Sequence, residues 1–168
     1  ILKTPHLTLR ESTVSDVEDF YRIYQDPSIT KYMERLFPDR DEERSYMKDY
    51  IQKIYGFYGF GLWSVIHTVT GTVIGRAGLS VREGYEIPEL GFVTEVAFQH
   101  QGYTYEICEA ILRYARDELE FPQVQAFCHP ENTASLHLLQ KLGFTYAGED
   151  LLQGIPHARY IVSLPKSC

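Results

Sequence analysis

The sequence predicts a mixed α+β domain built on one central sheet. Three observations carry this. Apolar residues recur at period 2 in some segments and near 3.6 in others, and the two periods alternate along the chain. The runs have ordinary strand and helix lengths, separated by turn signals rather than by a Pro/Gly/Ser-rich linker. No internal repeat or low-complexity segment breaks them, so residues 1–168 read as a single domain, long enough to bury a real core.

His6 to Arg10 alternates as a short strand, with Leu7 and Leu9 on one face. Ser15 and Asp16 start a helix carrying Val17, Phe20, Ile23 and Tyr24 at helical spacing, and Asp26-Pro27 ends it. A second helix is expected from Asp41 to Tyr55, led by acids that complement its N-terminal dipole. Leu62 to Thr68 and Thr72 to Val81 form a hairpin about Val69-Thr70-Gly71. After the loop Arg82 to Pro88, Glu89 to Phe98 is extended. Gly102 to Leu119 is a long helix with Ile107, Ala110, Ile111, Tyr114 and Ala115 as its buried stripe. Val124 to Cys128 is a strand, and Asn132 to Leu142 a helix with Gly143 just past its end. Strands Phe144 to Leu152 and Ala158 to Leu164, separated by Gly154-Ile155-Pro156, complete the order β-α-α-β-β-β-α-β-α-β-β.

Composition narrows the function classes. The net charge of −7 argues against general nucleic-acid binding, where a basic face is the usual footprint. No stretch approaches the roughly 20 apolar residues that span a bilayer, so no membrane partner is expected and the cytoplasm is the expected location. Cys108, Cys128 and Cys168 show no CxxC spacing; the first two read as small buried apolar groups and the last as a frayed terminus. The six histidines form no HExxH or other ligand spacing, so no metal is expected.

The chemistry concentrates at Phe98 to Glu106, which joins a strand to the long helix through Gly102. Such a junction points free backbone N–H groups one way, backed by the positive end of the helix dipole, and pyrophosphate is a natural ligand. GxxxxGK[ST] and GxGxxG are both absent, which leaves a phosphate-binding turn without the P-loop or dinucleotide signature.

Glu89-Leu90-Gly91-Phe92, then Gly102-Tyr103 and a helix, then Asn132-Thr133-Ala134-Ser135 and Lys141-Leu142-Gly143-Phe144 together resemble the GNAT N-acetyltransferases. The branch containing the ribosomal-protein N-terminal acetyltransferases is the most similar. Its opening strand and helix match Leu7-Thr8-Leu9-Arg10 and Asp16, and its hairpin matches Thr70 to Gly75. The resemblance covers nearly the whole chain. It implies a mostly antiparallel sheet with two splayed central strands and flanking helices. It also implies transfer of an acetyl group from acetyl-CoA, as co-substrate, to a primary amine in a ternary complex. The acceptor would be a small molecule or a protein N-terminus, and the protein a monomer or homodimer.

The same resemblance assigns residues. Pantetheine would lie as a surrogate strand between Glu89–Phe98 and Val124–Cys128, against backbone around Thr94, Glu95 and Val96. Gln101, Gly102, Tyr103 and Thr104 would cradle the pyrophosphate. Asn132 would cap its helix, bond the pantetheine arm, or both. Ser135, one turn on, would assist the departing thiolate, and Lys141 would reach the phosphates or remain a solvated helix-end charge. An amine with a pKa of about 8 to 10.4 must lose a proton to react. Glu89 is the first candidate base and Glu95 the second, with a structural role for Glu89 equally open. A strand N–H near Thr94 would stabilise the oxyanion. His67 and His129, near strand ends, are candidate proton shuttles or plain polar residues. The acceptor pocket would draw on the acids Glu34, Asp39, Asp41, Glu42 and Glu43 and the loop 83–86, although the interspersed Arg35, Arg40 and Arg44 equally fit a solvated helix surface.

The phosphate turn departs from its relatives. His100 stands at a frequent glycine position, Thr104 is bulkier than expected, and Gln99 to Thr104 contains no Lys or Arg. Two functions of different class therefore stand side by side: a working N-acetyltransferase, and a non-catalytic acyl-CoA-binding domain on the same fold.

Overall fold

The period-2 segments hydrogen-bond into one eight-stranded sheet in a computed structural model that describes residues 1–33 and 35–165. Glu34, expected in the acceptor pocket, and Cys168, expected to fray, lie outside the described residues. The strands are β1 (Leu2–Lys3), β2 (Leu7–Arg10), β3 (Leu62–His67), β4 (Thr72–Ser80), β5 (Glu89–Thr94), β6 (Gln123–Cys128), β7 (Thr145–Leu152) and β8 (Ile155–Ser163). The helices are α1 (Val17–Tyr24), α2 (Pro27–Thr30), α3 (Arg40–Tyr50), α4 (Gly56–Tyr58), α5 (Tyr103–Asp117) and α6 (Thr133–Lys141). Spatial order is β1-β2-β3-β4-β5-β6-β8-β7. Every neighbouring pair is antiparallel except β5 and β6, which run parallel.

Each face of the sheet buries its own cluster. Ile107, Cys108, Ile111 and Ala115 of α5 pack with Leu90, Val124, Ala126 and Cys128. Val17, Phe20 and Ile23 of α1 pack with Met47, Val73 and Val93 on the other face. The turn from β2 into α1 is fixed by an ion pair: Arg10 donates from Nη1 and Nη2 to Asp16 at 2.7 and 2.9 Å. Asp16 also accepts from Thr13 N–H and the Ser64 hydroxyl, both at 2.9 Å. Gly143 ends α6 with φ +93°, as its expected role requires.

Four boundaries differ from the expectation, each for a local reason. Asp26-Pro27 does end α1, but Asp26 then caps Ser28 N–H (2.9 Å) and Pro27 opens α2. The second helix changes at Ile51–Tyr55 into a π-helical turn. Two tyrosines flanking this turn grip one residue from both sides: Tyr50 Oη accepts Leu62 N–H at 2.8 Å, and Tyr55 Oη donates to Leu62 O. β5 stops at Thr94 rather than Phe98, because Gln99 Nε2 bonds Thr94 O (2.9 Å) and Val96–Phe98 coil into a 3₁₀ turn. β8 begins at Ile155, since Gln153 and Gly154, both with positive φ, make a two-residue hairpin. Pro156 is tolerated because β8 pairs with β6 only from Ala158 onward.

Candidate functional site

The site begins as a defect in the sheet. β5 and β6 pair at a single position, Glu89 with Gln125, where Gln125 N–H donates to Pro88 O at 2.9 Å. Beyond that point the strands part. Along β4 and β5 the register runs without a slip from Ser80–Glu89 to Gly75–Thr94, and Glu95 N–H donates to Ile74 O at 2.7 Å. N–H groups alternate sides in an antiparallel ladder. Those of Glu89, Gly91 and Val93 therefore face β4, while those of Phe92 and Thr94 face the gap, without partners among the described residues. Unpaired strand amides in a cleft invite a ligand with amide groups of its own.

At the far end of β5 the chain reverses into α5. Gly102 precedes the helix at φ +82°, and no side chain caps it. The first backbone bond across the junction is Glu106 N–H to Gly102 O at 3.0 Å. The N–H groups of Tyr103, Thr104 and Tyr105 are thus left over at the positive end of a 15-residue helix. A Cβ at Gly102 would meet nothing within 4 Å, so the turn itself is open on that side. Thr104 Oγ1 hydrogen-bonds Thr94 Oγ1 at 2.6 Å, tying the helix start to the last residue of β5. Behind the turn, the Tyr103 ring packs between His6 and His67 at 5.6 Å from each. Glu106 takes His6 N–H (3.0 Å), His6 Nδ1 (2.7 Å) and the Thr4 hydroxyl. Burial raises the Glu106 pKa, but these bonds outweigh it and hold the carboxyl below its ordinary range.

α6 flanks the gap from the end of β6. Asn132 Oδ1 accepts Ser135 N–H at 3.2 Å, which is the capping role, and its Nδ2 remains without a partner among the described residues. Both expected uses of Asn132 are therefore compatible. The Ser135 hydroxyl, partly buried, also has no partner among them. Lys141 lies with Nζ 4.3 Å from the centroid of Tyr105, in the first turn of α5. A cation therefore stands beside the start of α5, although Gln99 to Thr104 contains none.

The two candidate bases share the face of α1, being an even number of residues apart. Glu89 is held by Arg82 through both oxygens, at 2.6 and 3.1 Å. Glu95 bonds Arg22 at 3.1 Å, and its N–H is committed to β4, so it turns away from the gap. Val96 lies past the strand in the 3₁₀ turn and is exposed. Gln101 is exposed, its side chain at 3.4 Å from Ala97 O. His129 lies at the end of β6, its ring 4.8 Å from Tyr32 and 5.6 Å from His157. Burial pushes the Cys108 and Cys128 thiols up, which suits inert core groups.

Some features had no sequence signal. Of the acids expected near the acceptor, Asp39 caps α3 and Asp41 pairs with Arg44. A cleft of about 530 Å³ between α1, α2 and residues 35–40 is lined by Arg22, Arg35 and Arg40 with Glu18 and Tyr24. Phe92 was not singled out, because only the ladder register shows which amides face the gap. Among the described residues no helix is long and apolar enough to cross a membrane, and no group of His, Cys, Asp and Glu could hold a metal ion.

Comparison with known proteins agrees with this arrangement. A family model described as acetyltransferase (GNAT) domain matches residues 6–145. The uncharacterized N-acetyltransferase p20 of Bacillus licheniformis is 29% identical over 151 residues, covering 88% of this chain and 83% of that protein. The ribosomal-protein-S5-alanine acetyltransferase of Vibrio fischeri superposes with a TM-score of 0.81 at 14% identity, over 97% of this chain and 96% of the other. The spermidine N-acetyltransferase of Vibrio cholerae, solved with CoA and spermine, gives a TM-score of 0.80 at 18% identity, over 96% and 97%. At these identities the two solved structures speak to the fold.

Proposed function

The chain belongs to the GNAT acetyltransferase family and is an acyltransferase, and from that premise we propose that it acetylates a primary amine by direct attack in a ternary complex. The observation that carries the reading is the single-pair junction of β5 and β6 opening toward the uncapped start of α5. Acetyl-CoA supplies the activated acetyl thioester. The unpaired amides of Phe92 and Thr94 match the amides of pantetheine, and the N–H groups of Tyr103 to Tyr105 match its pyrophosphate.

The chain's own groups then divide the work. Glu89 stands at the closed end of the gap. Thr94 lies about 16 Å further along β5 and Phe92 about 10 Å, at ~3.3 Å per residue. Phe92 N–H is thus the gap-facing donor better placed to meet an oxyanion within reach of Glu89 through water. Arg82 fixes the Glu89 carboxylate, which takes the amine's proton. The Ser135 hydroxyl donates to the leaving sulfur, and Lys141 neutralises phosphate charge beside Tyr105. The acceptor is a small amine or a protein N-terminus. The match of Leu7-Thr8-Leu9-Arg10 and Asp16 to its opening strand and helix, closed here by the Arg10–Asp16 clamp, supports the ribosomal-protein branch. The same reading places the reaction in the cytoplasm, without nucleic acid or membrane.

Free-thiol release from acetyl-CoA across a panel of amines tests this. Glu89→Gln should lower kcat by about 10²- to 10⁴-fold and Ser135→Ala by a smaller factor, both with coenzyme affinity retained. A second reading, a non-catalytic acyl-CoA-binding domain, is favoured by one observation: Arg82 occupies both Glu89 oxygens. Coenzyme binding with no thiol release from any amine would select it.

A further inference from the structure

Arg159 of β8 is held in place with its charge unspent. Its Nε donates to Gln125 Oε1 at 2.7 Å. Gln125 is fully buried and is fixed in turn by Nε2 bonding Ile87 O at 2.9 Å. The guanidinium lies 5.0 Å over the Tyr85 ring. No carboxylate stands within ion-pair distance of it among the described residues, and its Nη groups have no hydrogen-bond partner there. By contrast, Arg82, which stacks 5.0 Å from the Phe127 ring, is consumed by Glu89. The acids of the same loop, Glu83 and Glu86, are exposed and make no ion pair with Arg159.

The location matters as much as the geometry. Arg159 pairs with Phe127 in the β6–β8 ladder, and β6 is one wall of the gap. Val124, Ala126 and Cys128 of β6 pack against α5. Alternation therefore puts Gln125, Phe127 and the Arg159 side chain bonded to Gln125 on the opposite face. That is the face of Glu89, which sits level with Gln125 in the one β5–β6 pair. A fork of N–H donors, fixed by a buried amide and an aromatic ring, is the arrangement that binds a planar carboxylate through two parallel bonds.

We propose that Arg159 reads a carboxylate on the acceptor, so that the substrate is a small amino-acid-like amine rather than a polyamine or a neutral amine. This rests on the acetyl-transfer reading above and narrows it. With the carboxylate on Arg159, the amine end turns toward Glu89 and the gap. The step balances: the neutral amine nitrogen bonds the acetyl carbon and gives one proton to Glu89, the C–S bond breaks, and the coenzyme A thiolate takes up one proton from solvent by way of the Ser135 hydroxyl as Glu89 returns its own to solvent.

The test compares amino acids with the amines obtained by removing their carboxylate, assayed side by side by free-thiol release on the full chain. The expected result is a preference for the carboxylate-bearing member of each pair. Arg159→Gln should raise KM for those acceptors about 10- to 100-fold, with kcat and KM for carboxylate-free amines little changed. Arg159→Lys should restore part of the preference. Unchanged coenzyme binding and unfolding midpoint in both variants confirm that the fold is retained. Equal or better turnover of carboxylate-free amines, or a preference that survives both variants, overturns the inference and leaves the transferase reading standing. Coenzyme binding with no acetylation of any amine overturns the transferase reading itself.

Discussion

Asp16 and His100 show how single residues set local terms. Asp16 is buried, which alone would raise its pKa, but the Arg10 pair, Thr13 N–H and Ser64 hydroxyl outweigh burial and leave it lowered. A lowered folded-state pKa gives stability that is full above the unfolded value of about 3.9. That stability is lost as pH falls through the folded value. Asp16→Asn should therefore cost about 2 kcal/mol at pH 7 and flatten the acid limb of a stability–pH profile measured by urea unfolding. His100 holds φ +61°, in the left-handed region that favours glycine. His100→Gly should raise stability by about 0.5 kcal/mol and His100→Val lower it by about 1–2 kcal/mol, read by the same denaturation. This residue was legible in advance: the mismatch at His100 is visible in the sequence, and the backbone angle supplies its cause.

At the scale of elements, the start of α5 is where sequence and structure meet most closely. Gly102 marks the turn because only a residue tolerant of φ +82° can end the 99–102 loop and release three N–H groups forward. Gly102→Ala should cost about 1 kcal/mol of stability. A Cβ there meets no protein atom within 4 Å, so the cost is backbone strain, and coenzyme affinity by calorimetry should fall as relief of that strain shifts the N–H groups that follow. The long helices and the β3–β4 hairpin were legible because their periodicity is sustained. What escaped was decided by tertiary partners. The π turn at 51–55 accompanies the two tyrosine bonds to Leu62, and β5 ends early because Gln99 bonds Thr94 O. A two-residue strand such as β1 carries no period at all.

For the whole molecule, the candidate site lies at the one parallel junction found among the described residues of an otherwise antiparallel sheet. Residues 89 to 135 were legible as a group, through motif spacing. The ion pairs that decide their use were not: Arg82 with Glu89 and Arg22 with Glu95 join residues whose pairing no pattern announces. A ligand bridging β5, β6 and α5 ties together segments that the free sheet leaves apart. Acetyl-CoA at a hundred times its dissociation constant should add about 2.7 kcal/mol, raising the thermal midpoint by about 5–10 °C at this chain length.

The parting of β5 from β6 also writes a two-speed clock into one strand. Gly91 and Val93 turn their amide protons into the β4 ladder, while Phe92 and Thr94 turn theirs into the gap. Solvent deuterium should therefore replace every second amide proton of β5 within the shortest times, and its neighbours only upon larger openings. Adding coenzyme should erase the alternation, slowing Phe92 and Thr94 to the pace of Gly91 and Val93. Residue-resolved exchange would then read occupancy of the gap directly, in the absence of any acceptor and without turnover.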